Sequence, residues 1–428
     1  MKARTTMDLF DALFEEEDES NLLLSFVLSH VLLLELPEKR NSSLFEQRLA
    51  WDDYAVTHTA RGTFEVRLRM TLDSFNKLLG HIRDDLLVKE TKARVRGGTI
   101  LPELCLYCTI RWLAGGSYLD ITDVCGISKS SFYRVVWKTI TAICKCEALR
   151  PKFPKTTEEI EEVIAGFASI STDGIINNCA GVIDGYLLRI QVPAKNEVHN
   201  VKSFFSGHFQ CYGVNIQAVA DHHCRFTFIA FAGPGVMGDK DAIAETSLKD
   251  LIENLPFGIC VIGDAAYCPS EHLVPVYQGL AKAEPRYDNF NYFASQLRIR
   301  IEMAFGMMNM KWGILNHPLS CGIRNLRWLI QAIGSLHNFC INERLEREHV
   351  NGDAAIDIGI DPNIPRYIPT VPHDERGDPI DLGELLKITM QGHSHLREHM
   401  AGRVANSLLK RRGANGLNQQ RGEEEDKE

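Results

Sequence analysis

The 428-residue sequence has no uninterrupted apolar run long enough to cross a bilayer. Its longest, Leu22 to Leu36, is broken by Ser25, Ser29, His30 and Glu35 and falls short of the roughly 20 residues a spanning helix requires. It reads as a packing helix, which excludes a membrane protein of the helical kind. A leading secretory signal is also missing, because Lys2 and Arg4 are followed by the acidic run Glu15 to Glu19 before any apolar stretch begins. Without one, the twelve cysteines are expected to be thiols in a reducing compartment. No internal repeat is visible, so solenoids and propellers drop out. A positive balance is lacking too: 47 basic against 56 acidic side chains give a net charge of -9, which excludes a wholly basic nucleic-acid coat.

What is present is a length that suggests about two or three compact units and a marked change of pattern along the chain. Residues 1–62 are acidic and leucine-rich and read as a helical extension. Residues 63–155 carry apolar side chains at helical spacing, as in Leu104, Tyr107, Cys108, Trp112 and Leu113, and form a small all-helical region. Between Lys89 and Lys155 twelve basic residues face five acidic ones, so positive charge is concentrated there despite the acidic total. Residues 156–345 switch to strand-like runs, GVIDGYLLRIQV, FQCYGVNIQAVA and CRFTFIAFAG, then alternate helix, buried strand and long helix. That succession gives an α/β class with a mixed sheet. Residues 346–428 contain Pro362, Pro365, Pro369, Pro372 and Pro379, which forbid regular structure, then a C-terminal helix and the charged tip GEEEDKE, expected to be disordered.

Inside the helical region, SYLDITDVCGISKSSFYRVVWKTI reads as a helix, a turn at Gly126, and a second helix capped by Ser128. This is the pattern of a helix-turn-helix. Lys129, Ser130, Tyr133 and Arg134 would project from the start of the second helix, where such helices meet base edges and phosphates, while Ile127, Phe132, Val135 and Val136 face the core. A helical hairpin that only packs on its neighbour is the alternative.

Three carboxylates carry the chemistry. Asp184 lies within the apolar strand VIDGYLLRI, where an ionised side chain costs several kcal/mol unless a cation or metal compensates it. Asp264 ends the apolar run ICVIGD, and ligands collect at the carboxyl ends of such strands. Glu302 falls on the helix ASQLRIRIEMAFGMMNMKW, one turn after Arg298. Two Asp and one Glu offer only oxygen donors, which suits a hard divalent cation such as Mg2+, with Mn2+ an alternative. A hydrogen-bonded turn aspartate and an ordinary i, i+4 ion pair are the plainer readings of the same residues.

The blocks GVIDGYLLRI, SGHFQCYGVNIQAVAD, GDKDAIAETSL, VIGDAAY, RIRIEMAFGMMNMKWGIL and SLHNFCI, in that order, resemble a PIF/Harbinger-type DDE transposase from about Thr71 to Asn342. The resemblance implies an RNase H-like nuclease fold for residues 156–345 and matches Asp184, Asp264 and Glu302 to the family's metal-binding triad. It further implies double-stranded DNA as substrate, with terminal inverted repeats and a short A/T-rich target, a Myb/SANT-like DNA-binding partner protein, a homo-oligomer and a nuclear location. A domesticated protein that keeps the fold for DNA binding or scaffolding, and a nuclease that cuts without joining, stay open beside it. Leu22 to Leu36 is a candidate interface, and Lys410, Arg411 and Arg412 a candidate import signal.

Several further positions stay open at this level. Asp241 fits either a site residue or a carboxylate at a helix N-terminus. Asn215, Gln217 and Asp221 share one strand face, which either borders the site or, as alternation alone predicts, is wet or structural. Arg298 and Arg300 are candidates to hold phosphates near Glu302, with ion pairing the alternative. His337 and Asn338 match the family's LHNFC block, yet a histidine in an apolar helix is expected to be a satisfied core residue. The Cys105/Cys108 pair lacks a second pair at zinc-finger spacing and reads as core packing. Neither the His222, His223, Cys224 cluster nor His395 with His399 has convincing metal-ligand grammar.

Overall fold

A computed structural model describes residues 47–88, 99–350, 394–407 and 409. The chain divides into two units at Arg48 and Leu49, and the described residues fall almost wholly in the second. The candidate interface Leu22 to Leu36, the proline-containing stretch 361–379 and the basic cluster 410–412 lie outside the described residues.

The helical region is built of α1 (Trp51–Ala60), α2 (Phe64–Leu68), α3 (Leu72–Leu86), α4 (Pro102–Leu113), α5 (Tyr118–Cys125) and α6 (Lys129–Lys145). Aromatic rings staple the first helices together: Trp51 stacks on Phe75 with centroids 4.8 Å apart and meets Phe64 and Tyr107 edge-on. The expected helix-turn-helix is formed. Gly126 closes α5 at φ +60°, a left-handed conformation that costs glycine little, and the Ser128 hydroxyl accepts the Ser131 N–H at 3.3 Å to cap α6. Ile127, Phe132, Val135 and Val136 are buried. The far end of α6 also meets the α/β region, where the Cys144 thiol donates to the Trp328 carbonyl at 3.3 Å.

After α7 (Thr157–Ile170), which opens with a capping box between Thr156 and Glu159, the sheet begins. Among the described residues it has six strands: β1 (Cys179–Arg189), β2 (Phe205–Ser206), β3 (Cys211–Ala220), β4 (Phe226–Pro234), β5 (Cys260–Gly263) and β6 (Leu273–Pro275). The short helices α8 (Asp239–Ala242) and α9 (Leu248–Glu253) connect β4 to β5. Across the sheet the order is β4, β3, β1, β5, β6, with β2 paired to the first residues of β3. The hairpin strands β1, β3 and β4 run antiparallel, and β5 and β6 run parallel to β1. This mixed α/β arrangement is the RNase H-like fold. It places the C-terminal end of β5 beside the middle of β1.

Two long helices, α10 (Pro285–Lys311) and α11 (Ile323–Val350), and a C-terminal helix α12 (His395–Asn406) complete the unit. Helix α10 crosses β1, where Tyr186 stacks on Phe305 and its hydroxyl donates to Asn309 Oδ1 at 2.8 Å. Helix α11 holds the hairpin. Asn338 accepts from the Phe226 N–H and donates to the Phe226 carbonyl, both at 2.7 Å, and His337 Nε2 bonds the Cys224 carbonyl at 2.8 Å. The LHNFC block is therefore structural, and burial pushes the His337 imidazole down to about 4, so it stays neutral at physiological pH.

The same turn meets α7 at Gly166, where an added Cβ would collide with the buried imidazole ring of His222. Gly166→Ala is expected to cost about 1–3 kcal/mol, the usual penalty of overpacking, read as a lower urea midpoint. Adding His222→Ala should recover most of the loss. Equal destabilisation of the single and double variants would show that the close approach is not the cause.

Candidate active site

Three elements converge at the end of the sheet. Strand β1 carries Asp184 on the face crossed by α10. There its Oδ1 accepts the adjoining Gly185 N–H at 2.9 Å, and its side chain is 21% exposed. Asp264 follows β5, and its Oδ1 accepts the Ala266 N–H at 2.9 Å, the local bond that turns the chain away from the strand. Glu302 lies on α10 and is tied to Arg298 one turn earlier at 2.5 Å, while the same guanidinium reaches Asp184 at 3.7 Å. Arg298 thus links the strand carboxylate to the helix carboxylate.

Electrostatics place the carboxylates in one field. Burial pushes the Asp184 carboxyl up to about 7; the Gly185 N–H and Arg298 oppose this, and the charges of Asp264 and Asp239 add to it. Burial also raises Asp264, with the Ala266 N–H and Arg298 opposing and Asp239 reinforcing the rise. Buried Tyr267 is held well above the usual phenol range by burial and then by the charges of Asp239, Asp184 and Asp264.

Asp239 is therefore a fourth carboxylate within electrostatic reach of Asp184 and Asp264, and it is the one the sequence pattern concealed. Asp241, two residues on, is exposed. Asp239 opens α8, and its Oδ1 accepts from Asn215 Nδ2 at 3.1 Å and from Gln217 Nε2 at 2.9 Å. Tyr267 completes the network by donating its hydroxyl to Gln217 Oε1 at 2.8 Å. The expectation that Asn215, Gln217 and Asp221 face solvent is overturned, since they are 8%, 0% and 2% exposed. Helix α8 and the segment after β5 cover that face, so its amides bind a carboxylate in place of water. Asp221 instead bonds the N–H groups of His223 and Arg225 and pairs with the Arg225 guanidinium, fixing the hairpin turn.

Not every candidate joins the cluster. Arg300 sits on another face of α10, beside the buried turn of His222, His223 and Cys224, where its charge reinforces the lowering that burial imposes on both imidazoles. Lys129, Ser130 and Arg134 are exposed at the start of α6, and Tyr133 is half-buried against Phe132 and Tyr118. The Lys129 ammonium lies over the Tyr118 ring at 4.9 Å. Cys105 and Cys108 are core residues, the latter 3.6 Å from Cys125 Sγ.

The donor set fits a hard divalent ion by its chemistry, being all carboxylate oxygen at the end of a sheet, with a guanidinium already drawn between two of its members. In the present arrangement, among the described residues, no three carboxylate, imidazole or thiol side chains are gathered closely enough to share one ion. Among the described residues no helix is long and apolar enough to cross a membrane.

Residues 183–338 match the family model of the DDE superfamily endonuclease. That interval starts one residue before Asp184 and includes Asp239, Asp264 and Glu302. A protein from Arabidopsis thaliana called ALP1-like is 22% identical over 297 residues, covering 65% of this chain and 71% of the relative. No solved structure matches the chain. Strand order and both sequence matches agree, and they support a Harbinger-type DDE nuclease: residues 183–338 are similar to the DDE superfamily endonuclease, and the chain is similar to an ALP1-like protein.

Proposed function

We propose that the protein is a divalent-metal-dependent DNA endonuclease and transposase, which cleaves phosphodiesters at transposon ends and transfers the strand to target DNA. What supports this reading is that Asp184 on β1 and Asp264 after β5 share one electrostatic neighbourhood, with Arg298 linking Asp184 to Glu302 on α10, and that the sequence resemblance matches these three to the family's triad. Mg2+, or Mn2+, held by these three would activate a water and neutralise the leaving oxygen of a phosphodiester. The chain's own residues supply the rest. Asp184 and Asp264 are fixed by backbone N–H bonds, so their oxygens are oriented before substrate arrives. Arg298 offers a planar fork suited to a DNA phosphate. The exposed Lys129, Ser130 and Arg134 on α6, with Tyr133 beside them, would engage the duplex, and Arg134, Lys138 and Lys145 line one groove along that helix.

The same reading carries terminal inverted repeats and a short A/T-rich site as the DNA, a Myb/SANT-like protein as partner, a homo-oligomer that pairs two ends, and a nuclear location. An acidic transposase gains most from such a DNA-binding partner. The test is nicking of supercoiled DNA with Mg2+ or Mn2+ by the wild type and by Asp264→Asn, which removes one charge at nearly constant shape. Nicking that needs metal and disappears in the variant is the expected result. Equal nicking by both would remove the site from the reaction. No nicking by either, with the partner and cognate ends supplied, would favour a protein that keeps the fold only to bind DNA or to scaffold.

A further inference from the structure

Arg298 reaches the carboxylates of both Asp184 and Glu302 with 22% of its side chain exposed. In that position it carries the charge that two neighbouring carboxylates need for compensation. A divalent ion taken up by the same oxygens supplies the same compensation, and two cations crowded into a half-buried space repel. The two carboxylates differ in how firmly they are placed. Asp184 is fixed on a central strand by the Gly185 N–H, whereas the Glu302 side chain is 48% exposed on a helix surface. The contact to Asp184 is the longer of the two and the easier to give up.

We propose that Arg298 is a positioning residue that occupies the cation's place between Asp184 and Glu302 and is displaced from Asp184 when the metal binds, so that metal affinity is set by competition with the chain's own guanidinium. This rests on the nuclease reading and adds to it a built-in threshold. Displacement frees the guanidinium toward a DNA phosphate only once the site is loaded, which couples metal uptake to substrate contact.

The experiment is Mn2+ binding to the full chain by electron paramagnetic resonance, together with melting temperatures in EDTA and in saturating Mn2+, for the wild type, Arg298→Gln, Arg298→Lys and Asp264→Asn. Removal of the competitor is expected to tighten Mn2+ binding by about tenfold, the size expected for losing one partly solvent-screened ion pair. Arg298→Lys, which keeps charge but cannot bridge, should fall between. Arg298→Gln should also melt below the wild type in EDTA and draw level with it in Mn2+, whereas a merely structural role would lower both equally. Unchanged or weaker Mn2+ affinity in both arginine variants, with wild-type binding still dependent on Asp264, would overturn the competition and leave the nuclease reading intact. Absence of Mn2+ binding by the wild type would remove both.

Discussion

Asp184→Asn is expected to abolish metal-dependent cleavage and, in metal-free buffer at pH 8, to raise the melting temperature. The two effects have one origin. Burial lifts this carboxyl from an ordinary 3.8 to about 7 in the folded protein, so folding favours its protonated form. Its contribution to stability is fully present below pH 3.8, is lost as pH rises through about 7, and above that the ionised group is a standing cost. The cost is at most on the order of 4 kcal/mol, less what remaining solvent contact screens. An uncharged amide escapes it while still accepting the Gly185 N–H. The stability gain over wild type should therefore shrink as the pH is lowered from 8 to 5, and saturating Mg2+ should reverse it by stabilising only the wild type. Cleavage should fall by about a thousandfold or more, because the variant lacks a charged ligand for the metal. A variant no more stable than wild type in EDTA at pH 8 would mean that Arg298 already compensates the charge in full.

How far the site was legible in the sequence depended on which physical signal each residue left. Asp184 and Asp264 stood out because ionised groups inside or at the end of apolar strands conflict with their surroundings. The conflict survives in the fold as raised proton affinity. Glu302 left no such signal: its helix and its spacing to Arg298 fit an ordinary ion pair equally well, and the resemblance to the family's block is what favoured a site. Asp239 was hidden because both it and Asp241 follow Gly238 within GDKD. Only the amides of Asn215 and Gln217, two strands of backbone away, select between them. Those amides were misread as a wet face for a related reason. Alternation of polar and apolar residues tells that a strand has two faces, but not that α8 and Tyr267 cover the polar one. Arg298 and Arg300 looked equivalent near Glu302, yet on a helix four residues return to the same face and two do not. The overall α/β order and the helix-turn-helix were readable because their caps, turns and periodicities are local. The very short β2 and β6 carry too few residues to show a period.

Gly185→Ala is expected to cost both stability and cleavage, and it tests the back-to-back placement of Asp184 and Asp239. Residues 184 and 185 point to opposite faces of β1, with Gly185 opposite Gln217 on β3. A Cβ at Gly185 would collide with Asp239 Oδ1 and lie 2.7 Å from its Cγ. That carboxylate cannot step aside cheaply, because Asn215 and Gln217 hold the colliding oxygen itself. The strain therefore falls on β1, whose displacement carries Asp184 with it. A loss of about 1–3 kcal/mol in urea unfolding and of about a hundredfold in nicking, the size expected of a shift near 1 Å at a reacting centre, should follow. Combining it with Asp239→Ala separates the two effects. The clash disappears, and each amide keeps an acceptor, Asn215 on the Met237 carbonyl and Gln217 on Asn215 Oδ1, so stability should return. If nicking returns as well, Asp239 matters only as an obstacle and the site works with three carboxylates. If nicking stays low in a stable double variant, the charge of Asp239 is itself part of what the reaction needs.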